Sequence, residues 1–200
     1  MPLRNGSHGY GLVTKLLHWG TVLALATQFL VGYFMIPVDG GVEEADCDRG
    51  VDRLEESCER QQERLEARAD DPLGTAYSDL GSGTILDGGL ALPELHVLLG
   101  LLILLLALAR VIWRRTTALP PWAEGLSAGE RRLAHWTEKV LLTLLFVIPI
   151  SGLLLVTVSY DLLPLHIAAH IGFFVTLATH LGLVLKHQFV DRDRLLARML

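Results

Sequence analysis

Four long stretches of this chain contain no Asp, Glu, Lys or Arg: Leu16 to Pro37, Leu95 to Ala109, Val140 to Val158 and Leu162 to Leu185. Charged residues are 20% of the 200, so their exclusion from these blocks is a pattern and not a scarcity. A bilayer core about 30 Å thick takes roughly 20 helical residues to cross, and buried helices of soluble proteins seldom stay uncharged for so long. With 51% of residues hydrophobic, the blocks predict an all-α membrane protein, a bundle of four transmembrane helices over about 12–37, 93–115, 130–158 and 162–188. The first block is too long for the apolar core of a signal peptide. Pro37-Val38-Asp39 also offers no Ala-x-Ala cleavage pattern, so it reads as a retained helix. No internal repeat and no separate soluble domain are evident, which leaves one domain over residues 1–200.

Charge of one sign is scarce between the first two blocks. From Asp39 to Glu94 there are sixteen acids and five arginines, a net charge of −11. The stretch from Arg110 to Lys139 carries six bases and three acids, and Lys186, Arg192, Arg194 and Arg198 follow the fourth block. Basic loops stay on the cytoplasmic side, so both termini are expected to be cytoplasmic and the long acidic loop 39–92 periplasmic. An inner (cytoplasmic) bacterial membrane is the location this implies. Ser159 to Pro164 reads as a tight turn, making the last two spans neighbours. Asp70-Asp71-Pro72 and Gly81 to Gly89 read as irregular loop, and Asp52 to Ala69 as a short polar helix.

Cysteine is nearly absent. Cys47 and Cys58 both lie in the periplasmic loop, where a disulfide is permitted. On one straight helix they would stand about 16 Å apart, so a bridge requires a turn near Gly50. With no Cys-x-x-Cys-His, covalent haem attachment of the c type is excluded. Nothing points to nucleic acid.

What the spans do contain is histidine, a costly side chain in a bilayer and one that usually faces the bundle interior. His18 lies near the cytoplasmic end of the first helix, His96 starts the second at the periplasmic side, and His135 stands near the start of the third. The fourth holds His166, His170 and His180, with His187 at its exit. His166 and His180 are about 21 Å apart along a helix and about 40° apart around it, so they share a face at two depths. His96 matches the depth of His166, and His18 that of His180. Two cross-helix pairs suit bis-histidine ligation of two haems. His170 is one turn from His166 but about 80° from His180 around the helix, a poorer fit to the shared face. His187 is placed at the membrane surface by the same count, and His135 at the boundary. Spacing alone leaves three readings open: two haems, metal or proton transport, and polar packing.

Several runs resemble the bacterial cytochrome b561 family, the small di-haem group that includes superoxide oxidase. They are Leu16-Leu17-His18-Trp19, Leu95-His96-Val97 with Gly100 and Arg110, Leu133-Ala134-His135, and Pro149-Ile150-Ser151-Gly152. Most specific is His180 followed by Lys186-His187-Gln188-Phe189-Val190-Asp191-Arg192-Asp193. The resemblance implies two haem b groups, with His18 and His180 as axial ligands of the inner and His96 and His166 of the outer. His187-Gln188 stands where the family often has two adjacent histidines. The loop from about Gly40 to Leu90 lies outside the resemblance.

A chain of two such haems would pass electrons between a periplasmic donor and membrane quinone. By resemblance the donor is superoxide and the acceptor ubiquinone, which makes the chain an oxidoreductase. His187, Lys186 and Arg110 are candidates to contact a quinone or a haem propionate, with Arg4, Arg114 and Arg115 beside them. The acidic loop would repel an anionic donor unless Arg49, Arg53, Arg60, Arg64 or Arg68 forms a local basic patch. It would instead suit a haem-bearing anchor that serves a separate periplasmic redox protein. Lipid, quinone, the donor and a second copy of the chain are the partners expected. A haem-free metal transporter would want acids within its spans, and there are none.

Overall fold

The computed structural model describes residues 2–6, 9–35, 58, 60, 70–86, 90–122, 125–192 and 195–199. Among them, all regular structure is helical apart from an isolated bridge between Gly6 and Gly9. The helices are α1 (Leu12–Phe34), α2 (Pro72–Ser82), α3 (Leu92–Thr116), α4 (Ala128–Thr157) and α5 (Leu163–Lys186). A 3-10 turn, Tyr160–Leu162, precedes α5. A π-helical turn, His187–Asp191, and a 3-10 turn, Leu195–Arg198, follow it. All but α2 are long and apolar enough to cross a membrane.

Their exposed faces agree with lipid. Leu16, Leu23 and Leu30 on α1 are 63%, 69% and 57% exposed, one heptad apart along one side. Water would not tolerate a surface stripe of that kind on a stable monomer.

The chain divides into two compact units, Met1–Ala26 with Gly100–Leu200, and Thr27–Leu99. In the first, Ala24, Ile103, Ala107 and Leu145 form a buried cluster with Leu25, Leu106, Leu142 and Phe146 packed on it. The alanines let α1, α3 and α4 approach closely there, the usual route to packing where lipid removes the hydrophobic drive. In the same unit α4 and α5 pack along each other. Ser127 caps α4: its Oγ accepts from Glu130 N at 3.3 Å, while Glu130 Oε2 accepts from Ser127 N at 2.9 Å. Ser127→Ala removes this cap and is expected to cost about 1 kcal/mol, seen as earlier thermal unfolding in detergent.

In the second unit, α2 corrects the expectation of loop at Asp70-Asp71-Pro72. Asp71 caps the helix by accepting from Gly74 N at 2.9 Å, and proline opens it. The run that looks like a breaker is therefore a start signal: an N-cap aspartate followed by proline, whose missing N–H costs nothing in the first turn. Gly83 closes the helix at φ 78°, a left-handed conformation natural to glycine. The expected helix over Asp52 to Ala69 lies outside the described residues, save Cys58 and Arg60, which are helical. Cys58 is disulfide-bonded. Cys47, its expected partner, lies outside the described residues, as do His8, Arg49, Arg53, Arg64 and Arg68.

Candidate functional site

The first unit places His18 on α1, Arg110 on α3 and His180 on α5 together. Arg110 Nη2 stands 3.4 Å from His18 Nδ1, and His180 is within electrostatic reach of both. His18 and His180, paired by depth from their spacing, are within electrostatic reach of each other and of Arg110.

The end of the unit beyond this cluster is closed by the chain's own termini. Asn5 Nδ2 donates to the Ala118 carbonyl at 3.0 Å, and Asn5 Oδ1 accepts from Thr14 Oγ1 at 2.8 Å. Trp113 Nε1 donates to Thr14 Oγ1 at 3.0 Å, and Trp19 Nε1 to the Met199 carbonyl at 3.0 Å. Arg198 Nη2 reaches the Pro121 carbonyl at 2.9 Å. A cavity of ≈ 30 Å³ remains inside, lined by Tyr10, Arg110, Trp113, Thr117 and Glu138 among others, about enough for one or two waters. Thr117 Oγ1 is buried there without a hydrogen-bond partner. Burial, with Glu138 nearby, pushes the Tyr10 phenol above its ordinary value, so Tyr10 remains a proton donor. Arg114 is held by Glu138 at 2.8 Å, whereas Arg4 and Arg115 are exposed.

His166 on α5 meets α4. Its Nδ1 lies 2.8 Å from Ser151 Oγ, and Ser151 Oγ lies 2.9 Å from the Ile148 carbonyl. Gly152 clears the ring: a Cβ there would stand 3.1 Å from His166 Cε1. His170 is one turn on, its ring centroid 4.4 Å from that of His166 and inclined 61°. In the second unit, His96 on α3 faces Gly32 of α1, where a Cβ would lie 3.5 Å from His96 Cε1. Two histidines on different helices thus each lie against a glycine, leaving the ring edge free of side-chain bulk.

His187 corrects the expectation of a surface residue. It is 1% exposed, and its Nδ1 donates to Asp191 Oδ2 at 3.1 Å. The amide of His187 still bonds back to the Leu183 carbonyl, so the ring keeps the position that the helical count gives it and is covered there by protein. Lys186, expected near a quinone or propionate, is committed elsewhere. Its Nζ donates to Glu130 Oε1 at 2.7 Å and Asp191 Oδ2 at 2.6 Å. Glu130, His187 and Asp191 bring three ligand atoms within 4.8 Å of one another. The Lys186 ammonium already supplies the cation that these carboxylates need. His135 is exposed on α4, its ring centroid 6.4 Å from that of Trp136.

The sequence reading missed Ser151 and Gly152 as contacts of His166, Gly32 against His96, and Glu130 and Asp191 around Lys186. Ser151 was in view, inside Pro149-Ile150-Ser151-Gly152, but without a role. Positions 151 and 166 lie on either side of the short turn between α4 and α5, and residues near the joined ends of a helical hairpin meet. That was the signal available.

The model of the prokaryotic cytochrome b561 family matches residues 9–200. The chain belongs to that family. No curated protein and no solved structure gives a significant match. The match covers all four long helices and each of His18, His96, His166 and His180. Membership in the cytochrome b561 family carries haem b binding and electron transfer within a membrane. The residues present fit that group: imidazoles on long apolar helices, ring edges cleared by Gly32 and Gly152, and a cation beside His18.

Proposed function

We propose that this cytochrome b561 is a single di-haem domain of the bacterial inner membrane, with both termini cytoplasmic. In this reading His18 and His180 hold the inner haem b, and His96 and His166 the outer. When bound, haem b supplies a one-electron iron couple. Four neutral imidazoles, two to each haem, would hold the groups. Arg110, beside His18, would neutralise an inner propionate. The work of this chain is to orient the rings, exclude water and set potentials through ligands, burial and charge. Electrons then run between a periplasmic donor, proposed as superoxide, and membrane quinone, proposed as ubiquinone.

The observation that carries this reading is the convergence of His18 and His180, from different helices, in a chain whose family match spans every candidate ligand. Lys186 and His187, the further candidates for contact with a quinone or propionate, are both paired with Asp191. The test is a reduced-minus-oxidised visible spectrum with pyridine-haemochrome quantitation, followed by superoxide-driven reduction of ubiquinone. Two haems b per chain and quinone reduction are expected. A haem-free preparation would remove the cytochrome reading.

A second reading, a haem-bearing anchor for a periplasmic redox protein, is favoured by one observation. The stretch between α1 and α3 carries fifteen acids against five arginines, a composition suited to a basic partner. Two haems with no activity toward superoxide would select it.

A further inference from the structure

The hydroxyl of Ser151 has one proton and stands between two groups. The Ile148 carbonyl, 2.9 Å away, can only accept. The Ser151 proton therefore goes to Ile148, and the 2.8 Å contact with His166 is satisfied only if Nδ1 carries a proton and donates to Ser151 Oγ. Every partner on that side is an acceptor. A neutral imidazole then has Nε2 bare, which is the form that binds iron.

We propose that Ser151 is the positioning residue of the outer haem: it fixes the tautomer and ring angle of His166 and, by accepting from Nδ1, lowers the potential of the iron that His166 binds. The proposal rests on the reading of His166 as an axial ligand. Its physical basis is general, since an acceptor on the far nitrogen of a ligating histidine raises ligand basicity and favours the oxidised metal. Ser151 is suited to the role because it is 3% exposed, so no water competes for the ring nitrogen. Gly152, the next residue, lets the ring come close. His18 has the opposite neighbour. The Arg110 guanidinium beside it brings positive charge, which favours the reduced metal. The two sites are thus biased in opposite directions, with the lower potential at His166 and the higher at His18.

The experiment is a potentiometric titration of purified holoprotein, wild type against Ser151→Ala, Ser151→Cys and Ser151→Thr, with haem counted in each. His166→Ala serves as control. Two one-electron steps are expected in wild type. In Ser151→Ala the lower step moves upward by the equivalent of about tenfold in reduction equilibrium, ~59 mV for one electron, while the upper stays in place. Ser151→Cys, nearly the same shape but a weak acceptor, gives a smaller upward move, and Ser151→Thr restores the wild-type value. Two haems with both steps unmoved in Ser151→Ala would overturn the proposal. So would a lower step that stays at the wild-type value in Ser151→Cys, since shape alone would then explain the site. Loss of one haem in Ser151→Ala with retention in Ser151→Thr supports it; loss in both overturns it. Retention of two haems by His166→Ala marks a different failure, that of the ligand assignment beneath.

Discussion

His166→Ala is expected to leave one haem b per purified chain where the wild type carries two, and His170→Ala to leave both. The two histidines are one helical turn apart, with ring centroids 4.4 Å from each other, so proximity to iron does not separate them. Their surroundings do. His166 has its Nδ1 held by Ser151 and its ring edge cleared by Gly152, the two features that set a ligand's tautomer and angle. It also shares a helix face with His180, whereas His170 is about 80° away from it around the helix axis. Truncating His166 removes an axial ligand that no neighbour is oriented to replace. Truncating His170 removes a ring from beside the ligand and should shift the spectrum without changing the haem count. The pyridine haemochrome of the two variants, normalised to protein, decides. One haem in His170→Ala with two in His166→Ala would exchange their roles.

Much of this was open to a reader of the sequence, for a physical reason. Bilayer crossing imposes a composition rule that holds over roughly 20 residues, and α1, α3, α4 and α5 all obey it. Their ends fell within a few residues of expectation because charge stops at the membrane boundary. The depth of a histidine follows from helical rise alone, which is why His18 and His180 could be paired by depth from the sequence. What a helical count does not give is what packs against a residue. His187 continues the regular helix of α5, yet it is buried. The start of α2 was misjudged because Asp-Pro signals both an end and a beginning, and only the Gly74 N–H pointing back at Asp71 distinguishes them. Lys186 was expected to serve a ligand, yet its two carboxylate partners come from the start of α4 and from its own π turn. Such pairings are set by how two helix ends meet, which a charge count does not give.

The glycines beside His96 and His166 should respond in opposite directions to the same change. A glycine inside a helix costs about 1 kcal/mol relative to alanine, so Gly→Ala stabilises unless the new methyl meets an obstacle. At Gly32 the added Cβ would stand 3.5 Å from His96 Cε1 and 3.6 Å from Nδ1, ordinary van der Waals contact. Gly32→Ala is therefore expected to raise the unfolding midpoint by a few degrees and keep both haems; about 1 kcal/mol corresponds to roughly 2–4 °C in a chain of this size. At Gly152 the Cβ would come within 3.1 Å of His166 Cε1, with Nδ1 at 3.6 Å. That ring cannot retreat without stretching its hydrogen bond to Ser151, already 2.8 Å long. Gly152→Ala should displace the ring by a few tenths of an ångström and disturb the spectrum of one haem only. Gly152→Val adds branching that no such shift absorbs, and the haem at His166 should be lost while the other remains. Haem stoichiometry and thermal unfolding of the three variants test this together. A Gly152→Val protein with two intact haems would mean that the iron ligand on α5 is not the ring that Gly152 touches.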